Sequence, residues 1–334
     1  MRFGMFVPQG WRHDLVGIEP AEHWETMSGL AGYADAVDSG WESIWVYDHF
    51  HTVPVPSETE ATHEAWTLMS AYAASTSRVR IGQMCTCMSY RNPVYLAKVA
   101  ATVDAISGGR VEMGIGGGWY EHEWRAYGYG FPPIPERLGR LREGVEIMHQ
   151  AWTTGRATLD GRYYQVDGAI VQPQPLQPGG IPIWVAGAGE QVTLKIAAKY
   201  ASYTNFNGTA DVFAHKSEVL RGHCEALGRD FSAITRSSEF HTVIGTDSAD
   251  VAARLDRIEA RVAPHLGPDA TARYMREYRD RSPFTLVGTP AEMVARLAER
   301  KGLGLGYSIH YFPEAAYDRS GLELFASEVM PSLR

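Results

Sequence analysis

Cysteine is scarce in this chain. Its 334 residues hold three, Cys85, Cys87 and Cys224. An odd, sparse set builds no disulfide framework, so a reducing, cytoplasmic setting is expected. Positive charge is also short: 31 Lys and Arg stand against 39 Asp and Glu, a net charge of -8. A nucleic-acid surface needs a basic face to neutralise phosphates, so nucleic acid is not expected as a partner. No apolar run approaches the roughly 18 residues that a membrane helix needs. The start, MRFGMFVPQGW, turns polar too soon for a secretory signal, and no membrane partner is expected. Low-complexity tracts and linkers are missing too. What remains is ordinary globular composition, 45% hydrophobic and 21% charged. A chain of this length can bury a large core as one α/β barrel or as two smaller domains.

Short β-type runs alternate with helical patterns. Residues 2–8 lead to a helix near 20–39, 43–48 to one near 62–76, 78–87 to 92–107, and 110–116 to 136–153. Then 181–187 lead to 190–200, 201–206 to 214–227, 237–245 to a helical region around 249–281, and 306–312 to 322–333. Eight strand-then-helix units predict an α/β chain closing a (β/α)8 TIM barrel with insertions. A doubly wound sheet would carry a GxGxxG after its first strand, but that strand ends in VPQGW. Residues 154–180 contain a DG turn between β-rich runs and predict an inserted hairpin. Residues 247–287 hold more helix than one crossover requires and predict a solvated helical excursion. TPAEMVARLAERKG (289–302) predicts a helix with Thr289 as N-cap and Pro290 at its first position. One domain over 1–334, with insertions near 154–180 and 247–287, is the expectation.

Barrels of this kind build their chemistry at the carboxyl ends of the strands. There the sequence places Asp48, His49 and His51 in VYDHFH; Met84, Cys85, Thr86 and Cys87; and Gly116, Gly117, Gly118, Trp119, His122 and Glu123. Gly187, Ala188, Gly189 and Glu190 come after the fifth strand, and Asn205 and Asn207 after the sixth. His310 and Tyr311 lie early for the mouth. His-x-His can hold a catalytic metal, but a metal needs further ligands at later strand ends. WVAGAG and YTNFNG carry no histidine, and HYFPE no convenient aspartate. No metal is expected, and His51 reads as a solvated loop residue. His49 stays open between a core histidine and a functional one. The glycine clusters GIGGGW and VAGAGEQVTLKIA suit a phosphorylated ligand, because glycine lets backbone approach and a helix amino terminus favours an anion. Tight strand-to-helix turns explain them equally.

Together these motifs carry a resemblance. RFGMFVPQG, SIWVYDHF, the run RIGQMCTCMSYRNPVYLAKVAATVDAISGGRVEMGIGGGWYEHEWRAYG, IPIWVAGAGEQ, VGTPAEMVARL and FASEVMPSLR resemble the bacterial luciferase-like flavin/deazaflavin oxidoreductase superfamily. Within it the chain is most similar to the branch that uses the deazaflavin coenzyme F420. The resemblance covers essentially the whole chain. It implies that Asp48 and His49 contact the deazaflavin. It implies a non-proline cis peptide at Met84–Cys85 or Cys85–Thr86, with Met84, Cys85, Thr86 and Cys87 behind the ring. Gly187, Ala188, Gly189 and Glu190 would bind the phosphate, and Trp119 and His122 would lie near the ring and ribityl chain. Sugar-phosphate dehydrogenases of the branch carry glutamate where Trp119 aligns, so sugar-phosphate oxidation is not implied here. Cys85 and Cys87 read as structural.

The chemistry expected is hydride transfer between the deazaflavin and a small or medium organic substrate. The protein supplies position and electrostatics. His49 is the candidate general acid/base, since an imidazole titrates near neutrality, and Asp48 would orient it or bond the ring edge. His122 and Glu123 stand in reserve. Two alternatives are an FMNH2-dependent two-component monooxygenase, with FMN as cofactor, and a non-catalytic flavin or deazaflavin binding protein. Barrels of this family are commonly homodimers, so one is expected.

Overall fold

A computed structural model describes all residues, 1–334. Its strands are β1 (Arg2–Phe6), β2 (Ser43–Val46), β3 (Arg80–Gln83), β4 (Thr86–Cys87), β5 (Val111–Gly116), β6 (Arg156–Asp160), β7 (Gln165–Ile170), β8 (Ile183–Ala186), β9 (Tyr203–Asn205), β10 (Thr235–Ile244), β11 (Thr285–Gly288) and β12 (Leu305–Tyr311). The main helices are α1 (His23–Asp35), α2 (Ala65–Ser75), α3 (Pro93–Ser107), α4 (Glu121–Ala126), α5 (Ile134–Thr154), α6 (Thr193–Tyr200), α7 (Ala210–Ala226), α8 (Ser248–Leu266), α9 (Pro268–Arg279) and α10 (Pro290–Gly302).

The fold class is a (β/α)8 barrel with insertions. The chain folds as two compact units. The first comprises Met1–Glu64, Asn207–Ala214 and Arg236–Arg334. Its parallel strands run in the order β11-β10-β12-β1-β2. The second comprises Ala65–Phe206 and His215–Thr235. Its parallel strands run β3-β5-β8-β9, with β4 also on β5.

Local chemistry accounts for these elements. β2, SIWV, is buried at every position, which suits a strand covered on both faces. Asn92 caps α3 by accepting from Val94 and Tyr95 N–H, Pro93 opens the helix, and Gly108 closes it at φ 71°. Thr289 and Glu292 form a capping box on α10. Alternation along β12 turns His310 toward Phe325, Trp41 and Phe312. Its Nδ1 lies 2.9 Å from Thr242 Oγ1, and burial pushes its pKa down to about 3. His310 is a neutral core residue and not part of the strand-end chemistry.

The hairpin expected in 154–180 is present as antiparallel β6 and β7. Its turn is pinned by Glu143, whose carboxylate accepts from the N–H groups of Arg162, Tyr163 and Tyr164. The excursion at 247–287 contains α8 and α9, but it is only half solvated. Val251, Leu255, Ile258 and Val262 pack with Tyr274, Met275 and Tyr278 on Val243 and Val287. It also ends in a strand that the sequence pattern did not predict. TLVG (β11) is four residues long, too short to register a period, and becomes a strand by pairing with β10. α4 was likewise unexpected. The glycine turn after β8 does not run straight into a helix: α6 starts at Thr193, so residues 187–192 intervene.

Gly114 tests the packing that shapes the site. A Cβ there would lie 1.8 Å from the Gln83 carbonyl oxygen. Gly114→Ala should destabilise the protein by about 1–3 kcal/mol through overpacking, measured as a lower denaturation midpoint at unchanged m-value.

Candidate active site

In the first unit the site begins where β1 ends. Gln9 is buried, and its amide donates to the carbonyls of Tyr47 (2.9 Å) and His63 (3.0 Å). Its own carbonyl accepts from Tyr47 N–H. One side chain thereby fixes the end of β2 and ties it to the loop that carries His63. Tyr47 stacks on Phe6 at 4.1 Å, and Trp11 lies 4.3 Å from Tyr47. Trp11 also stacks flat on His49, with centroids 4.1 Å apart and planes 3° from parallel. Asp48 beside it is 2% exposed. The predicted pair Asp48 and His49 thus occupies an aromatic-walled strand end, with one imidazole face covered by indole. No group of three or more His, Cys, Asp or Glu side chains is gathered as a metal site would require.

The same unit holds a polar group that the sequence reasoning missed. Arg12 Nη2 donates to Glu277 Oε2 at 2.8 Å, and the other Glu277 oxygen bonds His241 Nδ1. The Arg12 guanidinium also lies against Trp11, Tyr274 and Tyr311, at 5.8, 5.4 and 5.5 Å. Burial alone would raise the Glu277 carboxyl, but Arg12 and His241 outweigh it and hold it at about 2. Burial, helped by Arg12, lowers His241, so the ring is neutral at pH 7 and donates Nδ1–H to Glu277. Glu239, two residues before His241 on β10, rises to about 7. Burial is the main cause and Glu277 adds to it, against Arg12 and the Asn207 amide. Glutamate and histidine two apart in a β-run share a face, and that signal was available in SSEFHTV. The partnership of Arg12 with Glu277, 265 residues apart, was not.

In the second unit the bond between Met84 and Cys85 is cis, at one of the two positions that the resemblance implies. Gln83 organises this bend: its side-chain carbonyl accepts from Thr86 Oγ1 at 2.7 Å, and its amide approaches Met69 Sδ at 3.2 Å. Thr86 and Cys87 are buried and Cys85 is partly exposed. The glycines of MGIGGGW answer to this bend. A Cβ on Gly116 would sit 2.7 Å from Cys85 Sγ, and one on Gly118 2.5 Å from Cys87 Sγ. The first glycine cluster is therefore explained by steric clearance without a phosphate.

Trp119 is 60% exposed and stacks on Tyr120, and His122 is exposed nearby. Glu123, held in reserve as an acid, is instead packed at 0% exposure and accepts from Tyr90 OH.

The turn after β8 keeps the second glycine cluster. Gly187 adopts φ 116° and donates to Asn205 O at 2.9 Å. Glu190 accepts from Lys216 at 2.6 Å and lies 2.9 Å from His215 Nε2, contacts that lower its pKa. His223 Nε2 lies 2.8 Å from the Glu190 carbonyl. The Glu190 side chain is thus tied to α7. A cavity of about 540 Å³ opens beside Gln191 and Val192, lined in part by Arg142, Lys195, Lys199 and His223.

The luciferase-like monooxygenase family profile matches residues 1–306. With that coverage, this chain belongs to the luciferase-like monooxygenase family. An F420-dependent glucose-6-phosphate dehydrogenase of Amycolatopsis mediterranei is 28% identical over 319 residues, covering 90% of this chain and 92% of its own. One from Kineococcus radiotolerans is 34% identical over 224 residues, covering 66% and 65%. Among solved structures, an F420-dependent secondary alcohol dehydrogenase with an F420-acetone adduct superposes with TM-score 0.77 at 21% identity, covering 100% of this chain and 99% of its own. The coenzyme F420-dependent tetrahydromethanopterin reductase of Methanopyrus kandleri gives 0.77 at 20%, with the same coverage.

The depressed Glu277 sets a testable pH dependence. Its folded pKa lies below its ordinary 4.5, so its stabilisation is complete above that value. It is lost as pH falls through the window from 4.5 to about 2. Glu277→Gln should cost about 2–3 kcal/mol at pH 7. In denaturant titrations across pH, its deficit against wild type should close as that window is crossed.

Proposed function

We infer that the chain is an F420-dependent oxidoreductase, moving a hydride between the deazaflavin and a small or medium organic substrate. The observation that carries this is the end of β2. There a buried Asp48 and a His49 stacked on Trp11 sit at a barrel strand's carboxyl end, in a family whose matched relatives are F420-dependent dehydrogenases.

The residues suit such a cofactor. The Met84–Cys85 bend presses forward on side-chain-free glycines, which gives a firm wall for a flat ring. The turn Gly187, Ala188, Gly189 exposes approachable backbone, and Arg142, Lys195 and Lys199 outnumber the one carboxylate, Glu146, in the cavity beside Gln191, which suits a phosphate. Glu190 holds that turn to α7 through Lys216 and His215. Met84, Cys85, Thr86 and Cys87 serve the ring wall, with Trp119 and His122 beside the ring and ribityl chain. When bound, the deazaflavin supplies hydride chemistry. The chain's own residues position it and move protons. His49 is the general acid/base, its ring plane held by Trp11, and Asp48 fixes the ring edge. The whole chain acts as one catalytic domain, a cytoplasmic homodimer without a metal.

A titration of the purified protein with F420 and with FMN tests the assignment. Tight F420 binding with weak FMN binding is the expected result, and preference for reduced FMN would move the chain to the oxygen-using branch. His49→Ala should lower turnover by about 10²–10⁴-fold with F420 affinity largely kept. Turnover equal to wild type would remove His49 from the chemistry.

A further inference from the structure

We propose that the Glu239 carboxyl is the proton-bearing group of the substrate pocket, and that this pocket takes an uncharged alcohol or carbonyl compound rather than a phosphate ester. The proposal rests on the oxidoreductase reading above.

Alternation along β10 sends Phe240 and Thr242 to the His310 side, and Glu239 and His241 to the other. Register sets His241 beside Tyr311, with rings 5.2 Å apart. Burial raises the Tyr47 phenol, and Glu239 is near enough to add to the rise. Tyr47 meets Trp11, and Trp11 covers His49. Glu239 and the proposed catalytic histidine therefore belong to one aromatic-walled group.

Unused hydrogen-bonding capacity points the same way. Glu239 Oε2, Tyr47 OH and Trp11 Nε1 are all shielded from solvent and without a hydrogen-bond partner. Buried polar atoms are nearly always paired. A carboxyl oxygen, a phenol and an indole N–H left open in one unit form the complement of a small oxygen-bearing molecule.

Charge selects among such molecules. Arg12, the cation among these groups, is committed to Glu277 at 2.8 Å, and Glu277 to His241. The groups acting on the Glu239 carboxyl are Arg12 and Asn207, which favour its ionisation, and Glu277 and burial, which oppose it and prevail. A phosphate dianion here would meet two glutamates and an arginine already neutralised. A neutral hydroxyl or carbonyl would meet a carboxylic acid able to donate. In the reducing direction the substrate oxygen takes the Glu239 proton as its carbon takes the hydride. In the oxidising direction the proton returns to the carboxylate. His49 is left to serve the proton on the ring side.

Infrared spectra of the full chain labelled with ¹³C-glutamate test this without turnover. The expected result is a protonated carboxyl band that titrates near 7 and vanishes in Glu239→Gln. In Glu277→Gln its midpoint should shift to lower pH. Cyclohexanone should shift the band, and glucose 6-phosphate should not bind by calorimetry. A band absent at pH 6, retained in Glu239→Gln, or unmoved by cyclohexanone overturns the proton-bearing role. Calorimetric binding of glucose 6-phosphate overturns the substrate class. Should Glu239→Gln not fold, Glu239→Asp keeps the acid but shortens it, and a band unchanged in midpoint there also overturns the role. Failure of the F420 titration with the band intact would instead remove the cofactor reading and leave Glu239 as a proton-bearing site.

Discussion

A guanidinium enclosed by aromatic rings must have a carboxylate. Arg12 lies just beyond the first strand, against Trp11, Tyr274 and Tyr311, where water does not solvate it and a lone charge would be prohibitive. Glu277 answers it from α9. That requirement gives the long excursion between β10 and β11 its structural purpose: α8 and α9 pack on Val243 and Val287 and deliver a carboxylate to the end of β1. The consequence spreads along one strand. Burial and Arg12 hold His241 neutral against the opposing pull of Glu277, and Glu277 adds a smaller share to the burial that keeps a proton on Glu239. Burial sets the direction for both side chains, and the ion pair adjusts each of them.

The second unit is organised by a steric constraint instead. The bend at Met84–Cys85 approaches β5 so closely that a methyl group at Gly114, Gly116 or Gly118 would collide with Gln83, Cys85 or Cys87. The bend and the glycine run are a single device contributed by two neighbouring strands. They leave no room for a side chain on β5 or just beyond it, opposite Gln83, Cys85 and Cys87. The sulfurs of Cys85 and Cys87 face Gly116 and Gly118 at close range, a packing role that suits small, polarizable side chains.

Much of this was legible beforehand for identifiable reasons. The barrel strands are short β-rich runs bounded by strong helix signals, and the caps at Asn92 and Thr289 are local chemistry that neighbouring residues decide. The pairing of Asp48 with His49 at a strand end was likewise visible as a motif. The glycine run after β5 was ambiguous, because a phosphate cradle and a steric clearance call for the same residue. Only the neighbouring sulfur atoms separate the two. β11 was hidden because four residues cannot display a period, and the start of α6 because nothing in GAGEQV marks where a turn stops.

The sequence by itself determined the periodic elements, the excess of acid over base, and the strand-end pair Asp48 and His49. Each depends on residues close together in the chain or on composition alone. The tertiary structure decided which charges meet. Arg12 finds Glu277 across 265 positions, and the proton on Glu239 depends on how deeply that carboxyl is enclosed and what faces it. Coulombic and desolvation energies depend on distance and burial in space, and neither quantity is written in the order of the residues.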